Sequence, residues 1–132
     1  MINWTFTVTL KPNMYRKDID QQFDETCNEL VLMLRKITNT FTLIVELTKN
    51  FNIHYHGMIE LPTSKRKFVN IFRGHDKFGF VSCKEVTNRN GWLEYMGKDL
   101  KNTYEELGRR VIINDDYNLF SEEQRLLYGN HF

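Results

Sequence analysis

The chain has 132 residues with 41% hydrophobic and 14% aromatic content, which predicts a single globular domain over residues 1–132. Its formal net charge of +1 excludes a domain that is basic throughout, so any basic surface for nucleic acid must be local. No stretch approaches the ~18 apolar residues that a membrane span requires. The two cysteines, Cys27 and Cys83, and the lack of an N-terminal signal region predict reduced, buried thiols in a soluble intracellular protein.

Hydrophobic spacing predicts the first strand and the first helix. The stretch "NWTFTVTLKP" alternates apolar residues with threonines until Pro12, which is typical of a half-buried strand with hydroxyl groups on its outer face. From Asp18 to Ile37, apolar residues recur at helical intervals, with acidic residues early and basic residues at the end. This pattern predicts a long amphipathic helix.

The remaining elements follow in the order β-β-β-α. "TFTLIVELT" and "NIHYHGMIEL" predict two strands joined by a short turn near residues 49–52, as in a hairpin. "KFGFVSCKEV" predicts another strand and "GWLEYMGKDLKN" a short helix, with a turn or short helix over 66–73. Beyond about residue 102, "RRVIIN" predicts an edge strand. The core is expected to span about residues 3–102, with 103–132 as a C-terminal extension.

Two histidines and a glutamate are predicted on one face of the hairpin. His54 and His56 alternate with the apolar residues of their strand, and Glu46 alternates with those of the strand before it. Both apolar faces must meet one core, so Glu46 lies across from His54 or His56. The two histidine Cα atoms are ~6.7 Å apart, which lets both imidazoles reach one metal ion. The other histidines, His75 and His131, have no such partners and are predicted to be surface residues.

A tyrosine and a lysine form a second candidate site. Tyr95 and Lys98 are three residues apart in the predicted helix, so their side chains are neighbours on its surface. A cation beside a phenol favours the phenolate and neutralises a phosphate that the phenol attacks. Two interpretations of this pair therefore stay open: a tyrosine nucleophile, or a boundary tyrosine beside a solvated lysine.

The order "FTVTL", "HYH" and "YMGK" resembles the three motifs of HUH endonucleases, the initiators of rolling-circle replication. With one tyrosine and a Tyr-x-x-Lys pattern, the chain is most similar to the nuclease domains of initiators (Rep proteins) from small circular single-stranded DNA viruses and related plasmids. The resemblance covers roughly residues 3–100. It implies an α+β fold, with an antiparallel five-stranded sheet and helices on one face, related to the RNA-recognition fold.

The resemblance also implies the roles of the candidate residues. Tyr95 would cut single-stranded DNA and stay joined to the 5′ phosphate, and Lys98 would assist at that phosphate. His54 and His56 match the metal-ligand pair, and Glu46 matches the acidic ligand on the preceding strand. The metal would be Mg²⁺ or Mn²⁺, acting as a Lewis acid on the phosphate oxygens.

The partners follow from the same resemblance. They are single-stranded DNA at a replication origin, in a hairpin loop, and a polymerase of the host, with oligomers allowed. The chain has no G-x-x-x-x-G-K-[ST] phosphate loop, so a helicase is expected either from the host or from a part of the protein beyond this domain. The compartment would be the nucleus of a eukaryotic host, or otherwise the cytoplasm.

A basic segment is the predicted DNA-binding region. Residues 62–84 hold six basic residues and one acidic residue, with four phenylalanines between them. Such a segment suits a phosphate backbone, and one or two of the rings could stack on unpaired bases. The six basic residues are Lys65, Arg66, Lys67, Arg73, Lys77 and Lys84.

Three alternatives remain open. A single-tyrosine HUH transposase performs similar chemistry, but such enzymes usually carry a glutamine ligand on the tyrosine helix, where this chain has Lys98 and its Gln124 is distant in sequence. "HYHGMIE" also fits a His-x-His-x-x-x-Glu element of cupins, although Thr48 stands where their glycine is expected and the helices disagree. A metal-free module that binds single strands is the third alternative.

Overall fold

The computed structural model describes residues 1–62 and 64–129 and contains a five-stranded antiparallel sheet with helices. The strands are β1 (Ile2–Leu10), β2 (Phe41–Leu47), β3 (Ile53–Leu61), β4 (Phe78–Glu85) and β5 (Ile112–Asp115). The helices are α1 (Ile19–Arg35), α2 (Arg66–Phe72), α3 (Arg89–Gly97), α4 (Leu100–Leu107) and α5 (Glu122–Tyr128), and Pro12–Arg16 forms a 3₁₀ helix.

The strands lie side by side in the order β4-β1-β3-β2-β5, and every pair is antiparallel. The central strand β3 pairs with β2 as a hairpin, as predicted, and with the N-terminal strand β1 on its other side. The predicted edge strand is present as β5, beside β2. The α+β class and the antiparallel five-stranded sheet are therefore confirmed.

One face of the sheet, called here the inner face, packs against α1 and α2. The Asp18 side chain accepts a hydrogen bond from the Gln21 N–H in a capping box that starts α1. Leu30 and Leu34 of this helix are fully buried. The hydroxyl of Thr26 in α1 lies 2.7 Å from that of Tyr55, a buried inner-face residue of β3.

A glycine permits the close packing at the centre of this inner face. The Phe6 ring packs on Phe68 of α2, with ring centroids 5.2 Å apart. A Cβ on Gly57 would overlap the carbonyl oxygen of Thr42 and lie 2.7 Å from Phe6 Cζ. Gly57, which directly follows the "HYH" motif, therefore has no room for a side chain.

The opposite face, called here the outer face, carries Glu46, His54 and His56. The expectation of helices on one face only is wrong, because the aromatic rings of α3 contact His56 on this outer face. Thr42, Ile44 and Met58 also belong to the outer face by strand alternation, yet all are buried. The half of the outer face formed by β2 and β3 is covered by α3 and by residues 115–120. These two segments meet where Gly97 of α3 approaches Phe120.

The predicted helix over "GWLEYMGKDLKN" is two helices. The first of these, α3, ends at Gly97 and has Lys98 as its C-cap. The second, α4, starts at Leu100. The predicted core boundary near residue 102 lies inside α4, and buried side chains continue to Phe120 in the same hydrophobic cluster. No helix in the described ranges is long and apolar enough to cross a membrane.

Candidate metal and tyrosine site

The β2–β3 hairpin brings Glu46, His54 and His56 together on one face, in one of the two registers that the sequence allowed. Glu46 pairs directly with His54, and His56 follows on the same face. The carboxylate oxygens Oε1 and Oε2 lie 3.4 Å from Nε2 of His54 and of His56 respectively. The two Nε2 atoms are 3.1 Å apart. Three potential ligand atoms therefore converge on one point, all within 4.8 Å of one another.

Thr7 orients one of these imidazoles. It lies opposite His56 in the β1–β3 pairing, and its hydroxyl oxygen is 2.9 Å from His56 Nδ1. In the tautomer whose Nδ1 hydrogen is donated to Thr7, Nε2 keeps a lone pair, which is the form of histidine that binds a metal ion. Metal-binding histidines commonly have such a partner on the second ring nitrogen, which holds the tautomer and the ring orientation.

The electrostatics of Glu46 suit a cation. Burial alone raises the pKa of its carboxyl, but the adjacent imidazoles of His54 and His56 outweigh burial and hold the pKa at about 2. The side chain is only 12% exposed, and Oε2 is buried with no hydrogen-bond donor among the described residues. An ionised, buried oxygen that lacks a donor fits a metal ligand. The cluster can therefore hold a metal ion.

Helix α3 places Tyr95 against this cluster. Its ring centroid is 5.5 Å from that of His56, in an edge-to-face arrangement. Trp92, one turn earlier, stacks on Tyr95 at 5.3 Å and donates a hydrogen bond from Nε1 to the Gly57 carbonyl at 3.2 Å. Tyr95 remains 40% exposed. The tryptophan therefore fixes α3 to β3, and the tyrosine lies between the histidines and solvent.

Lys98 lies beside this tyrosine. Its Nζ is 4.7 Å from the centroid of the Tyr95 ring, a cation–π contact. Lys98 is the C-cap of α3, so the helix ends here and does not continue through Lys98 as the sequence predicted. The positive charge therefore stands next to the exposed phenol.

The basic segment divides into two parts. Five of the six basic side chains are exposed: Lys65, Arg66, Lys67, Arg73 and Lys84. Of these, Lys65, Arg66 and Arg73 line a groove of about 510 Å³ on α2. Lys77 is different because its Nζ lies 2.9 Å from Glu29 Oε2, which raises the pKa of the lysine. Its charge is already neutralised within the protein.

A second cluster involves His75, and the prediction of a surface residue without partners is wrong. His75 Nε2 lies 3.2 Å from Glu29 Oε1, Nδ1 lies 3.3 Å from Asp76, and the ring packs on Phe78. His131 lies outside the described residues. The sequence does not reveal this cluster because Glu29 comes from α1, 46 residues earlier.

Two contacts at the first site are likewise not predicted from the sequence. Thr7 reaches His56 because β1 inserts beside β3, a pairing between strands that are distant in the chain. Trp92 could have been found, since it is three residues before Tyr95 and shares its helix face. No family model matches this chain, and neither a curated protein nor a solved structure matches it.

Proposed function

We propose that this domain is a metal-dependent, single-tyrosine HUH endonuclease that nicks and joins single-stranded DNA to initiate rolling-circle replication. The observation that carries the proposal is the packing of the Tyr95 ring on His56, which places a partly exposed phenol beside three converging metal-ligand groups. The contact of Lys98 with the same ring supports it.

In the proposed reaction, the phenol oxygen of Tyr95 attacks the phosphorus of one phosphodiester bond. A bond forms between this oxygen and phosphorus, and the bond from phosphorus to the 3′ oxygen of the preceding nucleotide breaks. The phenol proton ends on the released 3′ oxygen. Since one phosphodiester replaces another, attack by a 3′ hydroxyl in the reverse direction rejoins the strand without a nucleotide cofactor.

Each residue of the site has a distinct task in this scheme. Glu46, His54 and His56 would hold Mg²⁺ or Mn²⁺, and the bound ion would supply Lewis-acid polarisation of the phosphate oxygens. Thr7 orients His56, and Trp92 holds the helix that carries the nucleophile. Lys98 places a positive charge next to the incoming phosphate.

The biological setting belongs to the same proposal. The DNA would be a single-stranded origin segment, presented in a hairpin loop, and a helicase and the host polymerase would extend the released 3′ end. Such an initiator acts where its DNA replicates, in the nucleus of a eukaryotic host or otherwise in the cytoplasm. Oligomers would let a second subunit perform the joining step.

The alternatives are less well supported. Gln124, the glutamine nearest in sequence after Lys98, forms the capping box of α5 with Ser121 and is engaged there. A transposase-type glutamine ligand therefore has no counterpart on α3. A cupin requires a β-barrel, and the described residues form one open sheet flanked by helices. A module that binds single strands without a metal does not explain why the buried oxygen Glu46 Oε2 lies among two histidines without a hydrogen-bond partner in the described part of the chain.

The test is the formation of a covalent adduct. Wild-type protein, incubated with Mn²⁺ and a pool of labelled single-stranded oligonucleotides, is expected to give a protein-linked band that survives boiling in detergent. Tyr95→Phe keeps the ring but removes the oxygen, so the band should vanish while binding persists. Lys98→Ala should leave a weaker band, because the metal still polarises the phosphate.

Tyr15→Phe is the matched control, because Tyr15 is 42% exposed and lies in the 3₁₀ helix, outside the described cluster. It should leave the band unchanged. A band formed by Tyr95→Phe, or cutting by the wild type without any band, would contradict the proposal and favour hydrolysis by water.

A further inference from the structure

Phe80 differs from the other phenylalanines of the basic segment. Phe68, Phe72 and Phe78 are at most 5% exposed and belong to the core, whereas Phe80 is 71% exposed. The four phenylalanines of this segment therefore have two different roles. Three rings stabilise the fold, and the fourth is held in solvent by an ordered strand.

The strand pairing places Phe80 on the outer face, next to the metal cluster. Thr9 donates a hydrogen bond from its hydroxyl to the Phe80 carbonyl at 2.9 Å, and Thr9 pairs with His54. Phe80, Thr9 and His54 therefore form one row across three neighbouring strands. Two strand spacings separate Phe80 from His54, which is about 10 Å.

A bulge directs the Phe80 side chain. The pairing of β1 with β4 shifts register between Val8 and Leu10, so that Gly79 and Phe80 together oppose Thr9. Val81 and Phe78 contact the core on either side. Bulges commonly occur next to active sites, where the extra residue changes the direction of a side chain.

The half of the outer face around Phe80 is open and polar. We call it the open half-face and define it by Thr5, Thr7, Thr9, Phe80, Ser82 and Lys84. The hydroxyl residues are partly exposed and Lys84 is exposed, whereas the half formed by β2 and β3 is covered. One aromatic ring among hydroxyl groups and a cation matches a nucleotide, which presents a flat base and an anionic phosphate.

We infer that Phe80 stacks on an unpaired base of the DNA strand whose phosphate lies at Tyr95. This inference rests on the proposed function and adds a binding position to it. Base stacking on an aromatic side chain tolerates any sequence, because every base has a π-face. Phe80 thus holds the strand against the open half-face and positions the phosphodiester, without selecting a particular base.

The test compares Phe80→Ala with a matched control in the Tyr95→Phe background, where no cutting occurs. The probe is a short fluorescein-labelled oligothymidine, and the measurement is fluorescence anisotropy at several salt concentrations. Phe80→Ala should weaken binding about tenfold with an unchanged salt slope, since stacking involves no counterion release. The control is Leu32→Ala, which removes an exposed apolar side chain from α1, the helix on the inner face, and should bind like its parent.

A second variant keeps the ring. Phe80→Trp should retain affinity, and oligothymidine should quench the added indole fluorescence relative to the Tyr95→Phe parent. Equal affinity of Phe80→Ala and the control, together with unquenched Phe80→Trp, would overturn the inference. So would a dimer, detected by sedimentation without DNA, that Phe80→Ala dissociates, because the ring would then contact a second copy along the β4 edge.

The proposed stacking by Phe80 and the proposed nicking by Tyr95 can be contradicted independently. If the wild type forms the Tyr95 adduct and Phe80→Ala binds normally, the stacking is wrong and the proposed function stands. If Phe80→Ala weakens binding but the wild type never forms an adduct, the stacking stands and the endonuclease is wrong. Absence of both oligothymidine binding and the adduct overturns both.

Discussion

Two clusters among the described residues combine histidine and carboxylate side chains, but their hydrogen bonds differ. In the cluster of Glu46, His54 and His56, Thr7 occupies Nδ1 of His56, and the two Nε2 atoms converge beside an oxygen with no donor. In the cluster of Glu29, His75 and Asp76, His75 Nδ1 accepts backbone N–H groups at 3.0 and 3.4 Å.

The consequence concerns the lone pairs that a metal needs. Because Nδ1 of His75 already accepts hydrogen bonds, Nε2 carries the hydrogen and donates it to Glu29. Lys77 neutralises the other oxygen of Glu29. The second cluster is therefore complete without an ion, although its residue types satisfy the same distance criterion. Residue identity and proximity therefore do not distinguish the two clusters. Their hydrogen bonds do, because backbone N–H groups occupy Nδ1 of His75, whereas Nε2 of His54 and Nε2 of His56 face each other beside Glu46.

The largest difference between the clusters should appear in metal binding. His54→Ala combined with His56→Ala should abolish saturable Mn²⁺ binding in calorimetry and the rise in melting temperature that a bound ion produces. His75→Ala should leave both unchanged. Circular dichroism checks that each variant folds. Loss of Mn²⁺ binding in His75→Ala alone would reverse the assignment of the two clusters.

The next effect concerns the orientation of His56. Thr7→Val keeps the shape of the side chain but removes the hydroxyl, so Mn²⁺ affinity should fall about tenfold. Thr9→Val is the matched control, because Thr9 lies on the same face of β1 and bonds a backbone carbonyl instead. Equal affinities in the two variants would show that the contact with His56 Nδ1 has no influence on the ion.

The pairing of Lys77 predicts a difference in DNA binding. Replacing Lys65, Arg66 and Lys67 by alanine should lower the salt slope of single-strand binding by about two, if each contacts a phosphate. Lys77→Ala should change the slope little, since Glu29 already neutralises this charge. A larger change for Lys77→Ala than for the triple variant would place the DNA along the second cluster.

The smallest effect should be on stability. Glu29→Gln removes a partly exposed ion pair with Lys77 and weakens the hydrogen bond from His75, which predicts a loss of less than about 1 kcal/mol in the free energy of unfolding. Added salt should reduce the loss further. Urea unfolding at two salt concentrations measures it, and a loss of several kcal/mol would show that the cluster is essential to the fold.

The sequence by itself determined the elements whose pattern is local. Period-two alternation marked β1, β2 and β3, and helical spacing with early acidic residues marked α1. The hairpin register also followed, because a slip of one residue would have turned the apolar residues of one strand into water. Glu46 opposite either His54 or His56 was for this reason predictable without any tertiary information, and the structure pairs it with His54.

Only the tertiary structure decided the contacts between distant segments. Strand alternation places Thr42, Ile44 and Met58 on the outer face, but whether that face is open or covered depends on where α3 and residues 115–120 pack. The same holds for Phe80, which differs from its buried neighbours by a bulge that arises in the pairing of β4 with β1. Such contacts result from the packing of whole elements, and no local spacing of residues encodes them.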